Sequence, residues 1–216
     1  MRNPWAREYA KTPDRYIWGK APSRFARELT AFVPPGGRIL DLGCGEGRDS
    51  VYFAFCGYEV TGLDVSAAGL EKAERLAVER GVAVRWLCCS MLDVPVTGRF
   101  DLVYSCGTIH HVPKDDRPRL FKRLKALTRG RGINAHLVFT DLRVYVEKDE
   151  EIDYFTAGEL TDAYADWLVI RHEDGLVPCA QDGVPHSHSV ERLVTTPVTQ
   201  RVPGLRRGLP PVLLTA

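Results

Sequence analysis

The stretch of sequence that decides the fold is "RILDLGCGEGRDS", Arg38 to Ser50. An apolar run ends in an aspartate, and three alternate glycines follow before a segment with the composition of a helix. Glycines at such a strand-to-helix turn let a nucleotide-bearing ligand lie against bare backbone. We therefore expect a ligand of this kind at the turn, and the neighbouring residues must indicate which one.

The charges at this turn discriminate between ligands. The dinucleotide pattern GxGxxG needs a third glycine where this chain has Arg48. Asp41 stands two residues before Gly43, where its carboxylate would repel a pyrophosphate but attract a ligand with ammonium and sulfonium charges. The alternative is that Asp41 is only a turn residue at a strand end. Asp64, at the end of the next apolar run, suits the ribose hydroxyls of either ligand class.

Short apolar runs alternate with amphipathic segments after residue 38. Strands are predicted at 38–42, 58–65, 82–90, 99–106, 133–140, 167–173 and 189–196, and helices at 47–55, 67–80, 115–130 and 157–165. This order predicts an α/β fold with three α/β/α layers around a Rossmann-like, doubly wound, seven-stranded, mostly parallel sheet. Because no helix separates the last two runs, we expect an antiparallel last strand.

Three segments are predicted along the chain. Residues 1–35 form an N-terminal helical lid segment, with a short helix around 23–32 and four aromatic residues ahead of it. Residues 36–198 form the cofactor-binding domain. Residues 199–216, broken by proline and glycine, form an irregular C-terminal tail.

The composition indicates a cytoplasmic protein with small partners. The formal net charge of the 216 residues is +1, so we expect no nucleic-acid partner. No apolar run approaches the ~18 residues needed to span a bilayer, and the charged start is unlike a secretory signal. The six cysteines include no CxxC pair, which favours reduced thiols. The sequence gives no indication of the oligomeric state.

With these residues in view, the sequence resembles the class I methyltransferases that depend on S-adenosylmethionine (SAM). The resemblance extends from "YIWG" at 16–19 to the seventh strand, and "ILDLGCGEGRDSVYFAFCGYEVTGLDVS" is similar to the first two cofactor motifs of the family. "GEGRDS" and "DGVPHSHS" resemble small-molecule branches, including the tellurite-resistance and thiopurine types. The resemblance implies an enzyme that moves a methyl group from SAM to a small-molecule nucleophile and releases S-adenosylhomocysteine (SAH).

The resemblance also assigns roles to individual residues. Backbone at Leu42, Gly43 and Gly45 would contact the methionine part of SAM, with Asp41 near its ammonium. Asp64 would bind the ribose hydroxyls and Val65 would pack on the adenine. Ser90 and Met91 stand where the family commonly has an acid and a hydrophobic residue, so Ser90 would bond to adenine and Met91 would stack on it. The residues expected to bind the cofactor are Asp41, Leu42, Gly43, Cys44, Gly45, Arg48, Asp64, Val65, Ser90, Met91, Cys106, Trp18 and Tyr16.

Tyr16 and Trp18, in "DRYIWG", resemble an aromatic lid over the cofactor. A sulfonium among aromatic faces gains a cation–π attraction of roughly 0.5–2 kcal/mol. The alternative is that both rings only pack the N-terminal helix onto the sheet.

Two histidine pairs are candidates for chemistry. In "SCGTIHHVP", the residues Cys106, Gly107, His110 and His111 are expected to line the site, with a histidine as general base; we favour His110. The alternative is a helix start with one buried histidine. His186 and His188 share one face of the last strand and are interpreted first as a cluster at the solvent edge, second as substrate ligands and third as metal ligands. No metal site is predicted, because no cysteine pair stands at ligand spacing.

The sequence leaves the chemical class of the methyl acceptor undecided, and it leaves two other functions to consider. A thiol or chalcogen oxyanion acceptor needs no strong base, whereas a hydroxyl or amine acceptor would use His110 or His111. A non-catalytic SAM- or nucleotide-binding module would carry the same turn. A nicotinamide-dependent reductase is disfavoured by Arg48 and Asp41.

Overall fold

A single seven-stranded sheet forms the centre of the molecule. The computed structural model describes residues 4–145, 152–180 and 184–198. The strands follow the order β3-β2-β1-β4-β5-β7-β6, and β7 runs antiparallel to both of its neighbours while the other pairs are parallel. Their bounds are β1 Arg38–Leu42, β2 Glu59–Asp64, β3 Arg85–Cys88, β4 Phe100–Cys106, β5 Thr128–Phe139, β6 Trp167–Cys179 and β7 His186–Pro197. The predicted Rossmann-like sheet is confirmed.

Helices cover both faces of the sheet. Alternate residues of β1 point to opposite faces, so Ile39 packs with Phe25 and Phe53 on one face, while Leu40 packs with Leu120 on the other. This produces the expected three layers. The helices are α1 Pro4–Lys11, α2 Arg24–Leu29, α3 Arg48–Phe55, α4 Ala67–Arg80, α5 Arg117–Ala126 and α6 Glu159–Ala163.

The bounds of α4 follow from its end residues. Ser66 Oγ accepts a hydrogen bond from the Gly69 N–H at 3.1 Å, which caps the first turn. Gly81 ends the helix in the left-handed conformation, with φ +66°. Both ends agree with the sequence prediction.

Three strands are longer than predicted, and one of them, β7, begins at His186 rather than at residue 189. The start of β5 was assigned to a helix ending near residue 130, but Thr128 pairs with Phe100, and Arg129 bonds to Asp101 at 2.6 Å across the adjoining strand. The predicted end of β6 at residue 173 was also wrong, because residues 174–179 continue to pair with β7. Pro178 is tolerated there because β6 is the edge strand.

The sheet order determines where a ligand can bind. The chain leaves β1 toward β2 on one side and later returns to β4 on the other, so a crevice opens beyond the carboxyl ends of β1 and β4. The predicted tail, 199–216, lies outside the described residues. Among the helices of the described ranges, none is long and apolar enough to cross a membrane.

Candidate active site

A cavity of about 600 Å³ occupies this crevice. It is bounded by the loops after β1, β2, β3 and β4, by the N-terminal segment, and by residues of β5, β6 and β7. The predicted site residues that line it are Trp18, Asp41, Gly43, Cys44, Gly45, Arg48, Asp64, Val65, Ser90, Met91, Cys106, Gly107, His111 and His188. The chain thus brings most of the predicted site into one space.

The turn after β1 needs glycine at two of its positions. Gly43 has φ +65°, and a Cβ there would lie 2.7 Å from Thr108 Cγ2. Gly45 has φ +54°, and its Cβ would lie 2.7 Å from the Tyr9 hydroxyl. Any side chain would therefore clash as well as strain the backbone. The turn presents bare backbone to the cavity, as the sequence predicted.

Asp41 lies at the base of this turn and is 3% exposed. Its Oδ2 accepts a 2.6 Å hydrogen bond from Ser50 Oγ. Burial and the negative charge of Asp49 raise the pKa of Asp41 to about 8, against the opposing effect of the Ser50 bond. Asp41 therefore holds a proton at neutral pH until a cation is placed beside it.

Asp64 links the glycine turn after β1 to the loop after β2. Its Oδ2 accepts from the Gly45 N–H at 2.9 Å and its Oδ1 accepts from the Ser66 N–H at 2.8 Å. Burial raises the pKa of Asp64, while these backbone bonds act in the opposite direction. Each carboxylate oxygen keeps a further lone pair for a ligand hydroxyl. Val65, which follows, is 47% exposed and forms part of the cavity wall.

Ser90 and Met91 border the cavity from the loop after β3. Ser90 Oγ accepts from the Leu92 N–H at 3.1 Å, so the serine starts a short helical turn with its hydroxyl beside the cavity. Leu42 is placed differently. Its side chain is fully buried and its carbonyl accepts from Thr108 Oγ1 at 3.1 Å, so it supports the turn from behind.

The N-terminal segment contributes aromatic side chains to the cavity wall. Trp18 donates from Nε1 to the Tyr9 hydroxyl at 3.2 Å and lies 4.9 Å from the Trp5 ring, and all three line the cavity. Tyr16 was predicted beside Trp18, but it lies outside the cavity. Its ring packs near Val51 and its hydroxyl donates to the Lys72 carbonyl at 2.8 Å. The aromatic position predicted for Tyr16 is occupied by Tyr9.

The two adjacent histidines after β4 separate into two environments. His110, favoured in the sequence analysis, is 1% exposed and stacks on Phe139 with centroids 4.2 Å apart. Its Nδ1 accepts from the Phe139 N–H at 3.3 Å. Burial and the neighbouring His111 lower the pKa of His110 well below its usual value. The favoured His110 is thus the buried member of the pair, and His111 is the member that borders the cavity.

Two cavity cysteines remain thiols. Burial and the charge of Asp49 raise the pKa of Cys106 to about 11, and burial raises the pKa of Cys44 well above its usual value. A protonated thiol is a poor nucleophile. Neither side chain is therefore a strong nucleophile at neutral pH.

Sequence analysis missed several residues that shape the site. Asp49 accepts from the Ser23 N–H at 2.6 Å and from the Tyr104 hydroxyl at 2.8 Å, which joins α3, the start of α2 and β4. Phe139 lies between the rings of His110 and His188, with centroids 4.2 and 4.1 Å away. The position of Asp49, in the first turn of the helix that follows the glycine turn, could have indicated from the sequence that it lies at the site. Phe139, at the end of β5, gave none.

This fold and site define a class I methyltransferase domain, the type that uses SAM. Residues 39–132 match the family described as "Methyltransferase domain", which covers β1 to the start of β5. The resemblance drawn from the sequence is therefore confirmed by the match over residues 39–132.

Several relatives of the chain are named as methyltransferases. The chain is 37% identical over 134 residues to a trans-aconitate 2-methyltransferase of Deinococcus radiodurans, a match covering 57% of this chain and 47% of that protein. The chain spans between 46% and 63% of the length of four curated relatives that it matches.

Solved structures agree on the fold. TehB from Haemophilus influenzae aligns with TM-score 0.70 and 18% identity over 80% of this chain and 61% of that one. A Burkholderia thailandensis N1-methyltransferase with bound 1,6-didemethyltoxoflavin and SAH aligns with TM-score 0.66 and 24% identity, covering 91% and 92%.

Proposed function

We propose that this chain transfers a methyl group from SAM to a small-molecule nucleophile. One observation carries the proposal: a single cavity joins two regions of different chemistry. One region has carboxyl groups and bare glycine backbone at Asp41, Gly43, Gly45 and Asp64. The other has aromatic rings and imidazoles, including His111. A donor and an acceptor can meet in such a space.

The first region fits SAM. A volume of about 600 Å³ lies within the range of roughly 300–1,000 Å³ typical of small-molecule sites. The positive α-ammonium would lower the pKa of Asp41, so that the carboxyl group releases its proton to solvent and the carboxylate pairs with the ammonium. Asp64 would accept from the ribose hydroxyls, and Val65 and Met91 would enclose the adenine. Arg48 lies with its guanidinium 5.7 Å from the Trp18 ring and donates to the Trp18 carbonyl at 3.0 Å, so it positions this wall.

The bound donor supplies an electrophilic methyl group on a sulfonium whose thioether leaves readily. The chain's own residues orient the reactants in line and exclude water. Trp5, Tyr9 and Trp18 line the cavity, and a sulfonium held against their rings would gain roughly 0.5–2 kcal/mol. The protonated thiols of Cys44 and Cys106 leave the methyl group for the external acceptor.

His111 is the residue we assign to proton acceptance. A hydroxyl or amine acceptor loses a proton during methyl transfer, and a neutral imidazole at the cavity wall can take it. A thiolate or chalcogen oxyanion arrives already deprotonated and would not depend on His111. The net charge of +1 and a cavity of small-molecule size support a small acceptor over a nucleic acid.

Methyl transfer from isotopically labelled SAM to a panel of thiols, oxyanions, phenols and amines tests this function by mass spectrometry. We expect labelled product from at least one class. His111→Ala should slow the hydroxyl and amine acceptors and leave thiols unchanged, and Cys56→Ser, an exposed cysteine, is the matched control. Tight SAH binding without turnover of any acceptor would instead favour the non-catalytic binding module.

A further inference from the structure

Three side chains that can bind a metal converge at one end of the β6–β7 hairpin. Cys179 and His186 are directly opposed partners in the antiparallel pair, and directly opposed side chains lie on the same face. His188 follows two residues after His186 and so points to that face as well. Strand register alone therefore brings one sulfur and two imidazoles together.

The distances between the donor atoms suit one shared ion. The Cys179 sulfur and one ring nitrogen of each histidine all lie within 4.8 Å of one another. The two Nε2 atoms are 3.0 Å apart. Two nitrogens bound to a tetrahedral zinc at 2.0–2.1 Å are about 3.3 Å apart, so binding would require only a small separation of the rings.

Backbone contact fixes the tautomer of His186. Its Nδ1 lies 2.7 Å from the Val184 carbonyl oxygen, which can only accept, so Nδ1 carries the hydrogen. In the neutral ring, Nε2 then accepts a hydrogen bond from His188 Nε2 at 3.0 Å, and for both nitrogens to bind one ion the His188 hydrogen would move to its Nδ1. A carbonyl that orients the second nitrogen in this way is the usual partner of a metal-binding histidine.

Aromatic rings hold both imidazoles in place. Tyr145 stacks on His186 with centroids 3.5 Å apart and planes 7° from parallel. Phe139 stacks on His188 with centroids 4.1 Å apart and planes 14° from parallel. These contacts restrict ring rotation, so little conformational freedom is lost when an ion binds.

From this geometry we propose that Cys179, His186 and His188 bind a divalent transition-metal ion, with Zn²⁺ as the reference ion. One sulfur and two nitrogens favour ions such as Zn²⁺ or Co²⁺ and disfavour Mg²⁺ and Ca²⁺, which take oxygen ligands. Three protein ligands leave a tetrahedral ion one open position, as in catalytic zinc sites. The ion would displace the thiol proton of Cys179, and the thiolate would offset part of its charge.

The ion would border the cavity described above, because Cys179 and His188 both line it. Its open position then becomes available to an acceptor with a thiolate or oxyanion group. This consequence rests on the proposed function, whereas metal binding itself does not.

Cobalt titration of the full, reduced, chelator-treated chain tests the proposal. Co²⁺ bound to a thiolate gives a near-ultraviolet sulfur-to-metal charge-transfer band, and a tetrahedral site gives intense visible bands. We expect both to saturate at one Co²⁺ per chain and to disappear when Zn²⁺ is added. Cys179→Ser should abolish the charge-transfer band, and His186→Asn should weaken Co²⁺ binding by about tenfold or more.

Two matched variants serve as controls. Cys56→Ser removes an exposed thiol, and His172→Asn removes the histidine of a second group, in which His172, Asp174 and Glu191 also approach within 4.8 Å. Both should bind Co²⁺ as the wild type does. A wild-type chain without the charge-transfer band would overturn the proposal, whatever the folding of the variants. A band that survives Cys179→Ser, or binding lost only in His172→Asn, would also overturn it.

Discussion

Lys72 Nζ lies 2.7 Å from Glu46 Oε1, and both side chains are 1% exposed. Lys72 also donates to the Arg15 carbonyl at 2.8 Å, while the Glu46 carboxylate accepts from the N–H groups of Ile17 and Trp18, each at 3.1 Å. One buried ion pair thus ties the N-terminal segment to the glycine turn and to α4. It holds Trp18 at the cavity wall.

Breaking this pair should destabilise the fold strongly. We expect Lys72→Met to lower the free energy of unfolding by about 3–5 kcal/mol, because it leaves the Glu46 charge buried without its partner. The measurement is urea denaturation followed by circular dichroism. Lys20→Met, which breaks the exposed Lys20–Glu79 pair, is the matched control and should change stability by about 1 kcal/mol or less. Equal effects of the two substitutions would contradict this account.

Cofactor binding should release a proton from Asp41. In the free chain the pKa of Asp41 is about 8, so at pH 7 the carboxyl is mostly protonated. The ammonium of SAH favours the carboxylate and lowers that pKa in the complex. The affinity for SAH should therefore rise with pH, by at most about tenfold per pH unit, and level off above about 8.

Calorimetric titration with SAH at pH 7, in two buffers of different ionisation enthalpy, measures this proton directly. We expect close to one proton released by the wild type and none by Asp41→Asn, whose affinity should also be lower and flat with pH. The same proton release in Asp41→Asn as in the wild type would assign the effect to another group.

The two adjacent histidines should respond differently to alanine. For a hydroxyl or amine acceptor, His111→Ala should lower kcat by about 10²- to 10⁴-fold with unchanged SAH affinity, because the proton acceptor is lost. His110→Ala removes a buried ring stacked on Phe139, so its main effect should be a lower melting temperature. Steady-state kinetics and thermal melts of both variants separate the roles. If His110→Ala folds and loses more kcat than His111→Ala, then His110 is the general base, as the sequence analysis expected.

Burial should protect the cavity thiols from alkylation. At pH 8, iodoacetamide should modify the exposed Cys56 and Cys88 well before Cys106, whose pKa is raised to about 11. Peptide mass spectrometry over time gives the order, and a sample incubated with SAM alone should show no methyl group on Cys106. Alkylation of Cys106 as fast as that of Cys56 would show that the thiol is more acidic and more accessible than its environment indicates.

The sheet was predictable because its signals are local. The apolar runs that contain Asp41 and Asp64 mark β1 and β2, and Ser66 and Gly81 mark the two ends of α4. Each of these signals lies in a few neighbouring residues. The start of β5 was missed because Thr128 owes its strand conformation to Phe100, a partner 28 positions earlier. Pairing across the sheet overrides local composition there.

The part of the site that is formed by local backbone could be predicted from the sequence. The part whose side-chain placement depends on contacts with distant segments could not. The glycine turn follows from the spacing of Gly43 and Gly45. Whether His110 or His111 faces the cavity depends on Phe139, which belongs to another strand. In the N-terminal segment, Tyr9 rather than Tyr16 approaches Gly45 because of how α1 packs on α4, and no periodicity in the sequence indicates that packing.

The central claim is that the cavity binds the methyl donor rather than a dinucleotide. Calorimetric titration of the purified chain with SAH, and in parallel with NAD, tests it most directly. The account predicts one SAH bound per chain, no heat from NAD, and a large loss of SAH affinity in Asp64→Ala. Binding of NAD without SAH would contradict the account, together with the role given to Asp41.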